Sequence, residues 1–254
     1  MADTYTLITG AASGFGRCIA QKLAPTRKLV LADIHADKLD AVRRGCANPD
    51  QHRMWVRDLN RLGGIGDDLG SWLTEQKIAV GHFVHSAGLF GIQFARANDM
   101  AFVNRLFNVN VFSAMEIIRP LVSKRINQGA LRSITFISAI GSKLGGKGYA
   151  VYAASKGAVN AMSLSLAVEL APAVRVNAVL PGTIETEMNR DHFANTDFVA
   201  SIKSLHPLGL GRAEDVADAV EFLSSDRARW ITGQEIAVDG GRSARKAPAM
   251  SQGI

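Results

Sequence analysis

The run Thr9-Gly10-Ala11-Ala12-Ser13-Gly14-Phe15-Gly16 limits what this chain can fold into more than any other stretch. It follows an apolar run, Tyr5–Thr9, and opens an amphipathic one, so a strand must turn tightly into a helix. Gly10 permits the turn, Gly14 lets the backbone approach a bound group, and Gly16 allows close helix–strand packing. Unpaired N–H groups and the positive dipole end at the start of such a helix favour an anion such as a pyrophosphate. Asp33 ends the second strand-like run, at the distance a ribose-binding acid requires. A carboxylate there can accept both ribose hydroxyls and repels a 2′-phosphate. Neither Ser13 nor the residues just after Asp33 supply a cation for such a phosphate; the first is Lys38. The pattern predicts a dinucleotide site that prefers NAD(H) over NADP(H), although Asp33 could also serve as a plain helix cap.

Beyond this turn, short β-branched or apolar runs alternate with helical periodicity. Strands are expected at Tyr5–Thr9, Lys28–Ala32, Met54–Arg57, His82–His85, Ser133–Ser138, Val174–Leu180 and Glu235–Val238. Helices are expected near 14–24, 36–46, 61–77, 99–127, 152–171 and 213–225. The alternation predicts an α/β, single-domain Rossmann fold over 1–241, a doubly wound parallel sheet with helices on both faces. Residues 189–206 break the rhythm; they are polar, carry His192, Phe193 and Phe198, and read as a substrate lid. Residues 242–254 hold three basic residues, no acid and no apolar period, and read as a C-terminal tail.

Composition narrows the class. With 47% hydrophobic and 20% charged residues in 254, the chain has the makings of a soluble globular protein. No apolar run approaches the ~20 residues of a membrane span, and no membrane partner is expected. The start, Met1-Ala2-Asp3, lacks the basic and apolar segments of a secretory signal. Cys18 and Cys46 have no metal-type spacing and the histidines are scattered, so reduced thiols, no metal and a cytoplasmic location are expected. The net charge of +6 comes from dispersed residues, which suits small anionic ligands and not nucleic acid.

The glycine run combined with Tyr152-Ala153-Ala154-Ser155-Lys156 resembles the short-chain dehydrogenase/reductase family, over about residues 4 to 241. Asp58-Leu59, Ala87-Gly88, Asn110 in Asn108-Val109-Asn110-Val111, Pro181–Thr186, Ile231–Gln234 and Val238–Gly241 match as well. Within the family, Pro181–Met188 is most similar to the 3-oxoacyl-carrier-protein reductase branch. The resemblance implies cofactor contacts from Gly10, Ser13, Gly14, Phe15 and Gly16, from Asp33, and from Asp58 and Leu59 near the adenine. It adds Ser86, Ala87 and Gly88, the Tyr152–Lys156 pair, and Pro181, Gly182, Ile184 and Thr186 at the nicotinamide end. It also implies a homotetramer or homodimer, packed partly through 99–127 and 152–171. His85-Ser86 stands where the family has two asparagines, and His85 reads as a core histidine.

Tyr152 and Lys156, four residues apart, share a helix face that continues through Val159, Ser163, Leu166 and Leu170. A free tyrosine titrates near ~10, and a neighbouring ammonium should lower that value. By resemblance, Lys156 also bonds the nicotinamide ribose, and Asn110, in a long helix, holds a water linking Lys156 to solvent. Tyr152 then exchanges a proton with the substrate oxygen as hydride moves. The family places a serine thirteen residues before the tyrosine, which here is Ala139. Ser138 comes into register only with one residue inserted within 142–147, and Ser142 is a third option.

The expected activity is therefore interconversion of a secondary alcohol and a ketone, with Asn110, Ser138, Tyr152 and Lys156 as its catalytic set. A small cyclic or polyol alcohol is favoured over a 3-oxoacyl thioester, because Asp33 opposes NADPH and Ala171-Pro172-Ala173 lacks a carrier-docking arginine. Lys124-Arg125 reads equally as part of a basic docking patch or as a solvated helix end. The alternative is a catalytically impaired or non-catalytic NAD-binding protein, if Ala139 occupies the serine position.

Overall fold

The computed structural model describes residues 4–187 and 190–244. Seven strands form one sheet: β1 (Tyr5–Thr9), β2 (Lys28–Asp33), β3 (Arg53–Val56), β4 (Val80–His85), β5 (Ser133–Ile137), β6 (Arg175–Pro181) and β7 (Glu235–Val238). Their order is β3-β2-β1-β4-β5-β6-β7 and every pairing is parallel. The chain winds outward from β1 in one direction, then crosses back to β4, so a crevice opens beyond Thr9 and His85. This is the expected doubly wound Rossmann fold.

Parallel strands buried on both faces need apolar side chains at nearly every position, and alternate residues feed two cores. Leu7, Phe83, Ile134 and Phe136 pack against one layer: α3 (Ile65–Glu75), α5 (Ser113–Val122) and α7 (Ala150–Glu169). Ile8, Val84, Ile137 and Val179 pack against α1 (Gly14–Leu23), α2 (Ala36–Gly45) and α10 (Ala213–Leu223). Strand β5 thus sends Ile134 and Phe136 toward α7 and Ile137 toward α10, a parity that matters at the site.

One expectation needs correction. The helix expected over 99–127 is three helices, α4 (Met100–Phe107), α5 and α6 (Lys124–Asn127), with a π-helical turn at Asn108–Phe112. The break before α6 has a cause in Asn127. Its side chain bonds both the N–H and the C=O of Val80 and the carbonyl of Leu121, which draws α6 off the α5 axis to the start of β4. Residues 190–206, within the expected lid, hold two short helices, α8 (Arg190–Phe193) and α9 (Thr196–Ser204); residue 189 lies outside the described residues. No helix among the described residues is long and apolar enough to cross a membrane.

Candidate active site

The crevice beyond β1, β2 and β4 is a cavity of about 700 Å³. Its floor is the glycine turn. Gly10 has φ +67°, and a Cβ there would lie 2.7 Å from Cα of Ala87. A Cβ on Gly16 would collide with the carbonyl oxygen of Gly10. Gly14 is different: a Cβ would have ordinary clearance, but φ is +49°, so backbone conformation and not crowding selects glycine. The carboxylate of Asp33 accepts from the N–H of Ala12 and of His35, each at 3.1 Å, and lines the cavity. Asp58 accepts from the N–H of Asn60 at 2.9 Å; Leu59, Ser86, Ala87 and Gly88 complete the expected wall. The glycine turn and the oriented Asp33 fit a dinucleotide.

Three neighbours escaped the sequence reading. Arg57 and Arg105 also line this cavity; Arg57 directly precedes Asp58, which was the available signal. Glu187 accepts from the N–H of Gly14 at 2.9 Å and pairs with Arg17 at 2.7 Å, placing a carboxylate at the start of α1. Burial works against its charge, but the N–H groups of Glu187 and Gly14, with Arg17, hold the carboxyl below its usual range.

His85 is buried with Nδ1 3.0 Å from Oγ1 of Thr9, which accepts from the N–H of Ala87. Burial and the charge of Lys156 push it down to about 3 against the opposing carbonyls of Val109 and Asn110. It is a neutral core histidine, as expected, and it links β1 to the loop after β4.

The first turns of α7 carry the Tyr152–Lys156 pair to the mouth of this crevice. Lys156 is buried and its Nζ donates to the carbonyl of Ile137 at 2.9 Å. Burial pushes its ammonium down to about 8. Tyr152 packs edge-on against Phe90, ring centroids 5.0 Å apart. Its surroundings, with Tyr149 adding to them, hold the hydroxyl above its ordinary value. That corrects the expectation that Lys156 lowers it. In the protein alone burial sets the direction, while the Lys156 ammonium is turned to the Ile137 carbonyl.

Asn110 sits on the π turn, fully buried. Its Oδ1 accepts from the N–H of Leu89 at 2.6 Å, and its Nδ2 donates to the Leu89 carbonyl and to Oγ of Ser155 at 2.9 Å. A Cβ on Gly88 would lie 3.1 Å from Lys156 Nζ and 3.4 Å from Asn110 Oδ1, so the three meet at one point. The side chain of Asn110 thus fastens the loop after β4 to α7.

A second cavity, about 210 Å³, opens beyond β5 and β6 and contains Tyr152. Phe15 and Thr186 line both cavities, so the two are neighbours at that point. Pro181, Gly182 and Ile184 lie on its β6 side. Ser138 and Ala139 both border it, but strand parity separates them. Ser138 follows Ile134 and Phe136 onto the α7 face, where its Oγ donates to the carbonyl of Lys156 at 3.2 Å. Ser142 is turned away from the cavity, donating to the carbonyl of Ala139 and accepting from Asn160. Arg242 also borders this cavity; the expected tail therefore begins inside the folded domain, and only 245–254 lie outside the described residues.

A family model described as Enoyl-(Acyl carrier protein) reductase matches residues 10–243. L-rhamnose 1-dehydrogenase (NAD(P)(+)) of Sphingomonas sp. (strain SKA58) is 31% identical, covering 92% of this chain and 94% of its own. The chain belongs to the short-chain dehydrogenase/reductase family. The family model's name fits the likeness of Pro181–Met188 to the carrier-protein reductase branch. A short-chain dehydrogenase/reductase described as a glucose/ribitol dehydrogenase, from Brucella melitensis, superposes with a TM-score of 0.85 at 27% identity, covering 96% of this chain and 98% of its own. A 4-hydroxyisoleucine dehydrogenase complexed with NADH gives 0.87 at 27%, covering 96% and 100%. As a family member the protein is a nicotinamide-dependent oxidoreductase acting between alcohols and ketones.

Proposed function

We propose that this protein interconverts a secondary alcohol and a ketone with NAD(H) in preference to NADP(H), Tyr152 acting as general acid and base. The observation that carries the proposal is the adjacency of the two cavities, with Tyr152 lining one and the glycine turn with Asp33 lining the other. A bound nicotinamide would supply the hydride acceptor or donor. The chain's part is proton handling and orientation. Tyr152 takes the proton of the substrate hydroxyl in oxidation and returns it in reduction. Lys156, beside it on α7, favours the phenolate once a bound cofactor adds positive charge. Ser138 supplies a hydroxyl on the same side of β5 as the tyrosine, which weakens the case for an impaired protein resting on Ala139. Asn110 is a positioning residue acting through Leu89 and Ser155.

Asp33 supports the NAD(H) preference, since its carboxylate, held by two backbone N–H groups in the cavity wall, would repel a 2′-phosphate. The names of relatives, L-rhamnose 1-dehydrogenase and L-xylulose reductase among them, favour a compact sugar-like or polyol alcohol over a carrier-bound thioester. Phe193 and Ile202, from α8 and α9, line the substrate cavity and support the lid reading. Exposed Met115 on α5 and exposed Leu164 and Val168 on α7 support assembly through those helices.

The test is an NADH and NADPH fluorescence titration followed by a turnover screen over sugars, polyols and cyclic alcohols. Tighter NADH binding and turnover of at least one alcohol are expected. Tighter NADPH binding would refute the Asp33 argument, and cofactor binding without any turnover would favour the non-catalytic reading.

A further inference from the structure

The substrate cavity is walled largely by apolar and aromatic groups, among them Phe90, Ile92, Leu144, Phe193 and Ile202. Among the described residues that line it, Arg242 alone carries a charge. Its position is built. After β7 the chain turns through Gly240 (φ +59°) and Gly241 (φ +84°), conformations that other residues rarely adopt. The carboxylate of Asp239 accepts from the N–H groups of Gly241 at 3.0 Å and Ser243 at 2.7 Å, and the N–H of Arg242 donates to the Asp239 carbonyl at 3.1 Å. The guanidinium then donates to Oγ1 of Thr183 at 3.3 Å, on the loop after β6. The N–H of that same Thr183 donates to Nε2 of buried His206.

Among the described residues no carboxylate pairs with Arg242, and the nearby acid, Asp239, is engaged by backbone amides. A guanidinium has five N–H donors, of which one is used among the described residues. A half-buried cation facing an apolar cavity with no carboxylate beside it among the described residues calls for an anion in that cavity.

We infer that Arg242 selects a substrate bearing a carboxylate, so that the alcohol and ketone are a hydroxy acid and its oxo acid. This rests on the proposed reading of Tyr152. The planar fork of arginine matches a carboxylate with two parallel hydrogen bonds. A phosphate dianion would call for a second cation, and the described lining has none. The apolar walls suit the carbon skeleton of such an acid.

The test uses matched pairs of 2-, 3- and 4-hydroxy acids and their primary amides, which keep the size and remove the charge, with the full chain and its preferred cofactor. An acid-over-amide ratio in kcat/KM of roughly 10- to 100-fold is expected, carried mainly by KM. In Arg242→Gln that ratio should fall to about one, and Arg242→Lys should keep part of it. A ratio near one in the parent protein, or one unchanged in Arg242→Gln, overturns the inference while the turnover itself upholds the oxidoreductase reading. If no pair is turned over, that reading fails for these substrates, and calorimetry of the acids against the amides decides Arg242 alone. Acid binding that is lost in Arg242→Gln supports its role; equal binding refutes it.

Discussion

The dinucleotide end and the substrate end of this crevice are built on opposite plans. The first is made of backbone: a turn of glycines, helix N–H groups and one carboxylate fixed by two amides. The second is made of side chains gathered from α7, the ends of β5 and β6, two short helices and the turn after β7. The glycine turn tolerates almost no change of residue and is written in consecutive positions, while the rest of its cavity wall reaches from Asp33 to Thr186. A side-chain site tolerates change and is scattered over more than a hundred residues, from Phe15 to Arg242.

The same substitution in the two regions should expose that difference most strongly. Gly16→Ala sets a methyl against the Gly10 carbonyl. It should abolish NADH binding and lower stability by about 4 kcal/mol or more, measured by thermal melts and titration. Gly141→Ala places its methyl 3.8 Å from the Tyr152 ring, ordinary contact, and should leave melting and NADH affinity intact while raising KM a few-fold. Equal damage from both would break the comparison.

Ser138→Ala should lower kcat by about a hundred- to thousandfold, or ~2.7–4 kcal/mol, with NADH binding retained. Ala139→Ser should change little, because residue 139 lies on the other side of the strand line. The reverse ranking in steady-state assays would show that counting from the tyrosine, and not parity, locates the hydroxyl.

Asp33→Asn should move the NADH-to-NADPH preference by about tenfold, ~1.4 kcal/mol, and leave substrate KM unaffected.

A further effect concerns pH. Burial lowers Lys156 from 10.5 to about 8, so between these values the unfolded chain holds a proton that the folded protein has lost. Stability of the cofactor-free protein should therefore gain up to about 1.4 kcal/mol per pH unit from this group as pH rises through that window. Tyr152, held above its ordinary value, opposes the gain once pH passes about 10. Denaturant titrations of the parent and Lys156→Met across pH 7 to 10 should differ by that slope.

What could be read from residues alone follows the same division. The sheet, its seven strands and the glycine turn were legible because periodicity and glycine placement are local signals. The π turn under Asn110 was not, since nothing in Asn108–Phe112 departs from a helical pattern; its side chain answers to Leu89 and Ser155, far away in sequence. Arg242 was read as part of a tail because its partner, Thr183, lies on a different strand end. Ser138 was ambiguous because a loop insertion shifts the count to the tyrosine without shifting strand parity. The direction of the Tyr152 shift was missed because a charge pair on a helix face says nothing about how deeply that face is buried.

The most direct test of this account is Tyr152→Phe, assayed for both NADH affinity and turnover of the best alcohol. The account predicts NADH binding within about twofold of the parent and kcat/KM reduced by about 10²- to 10⁴-fold. Turnover that survives the loss of the hydroxyl, or NADH affinity that falls in step with it, would contradict the division of labour between the two ends.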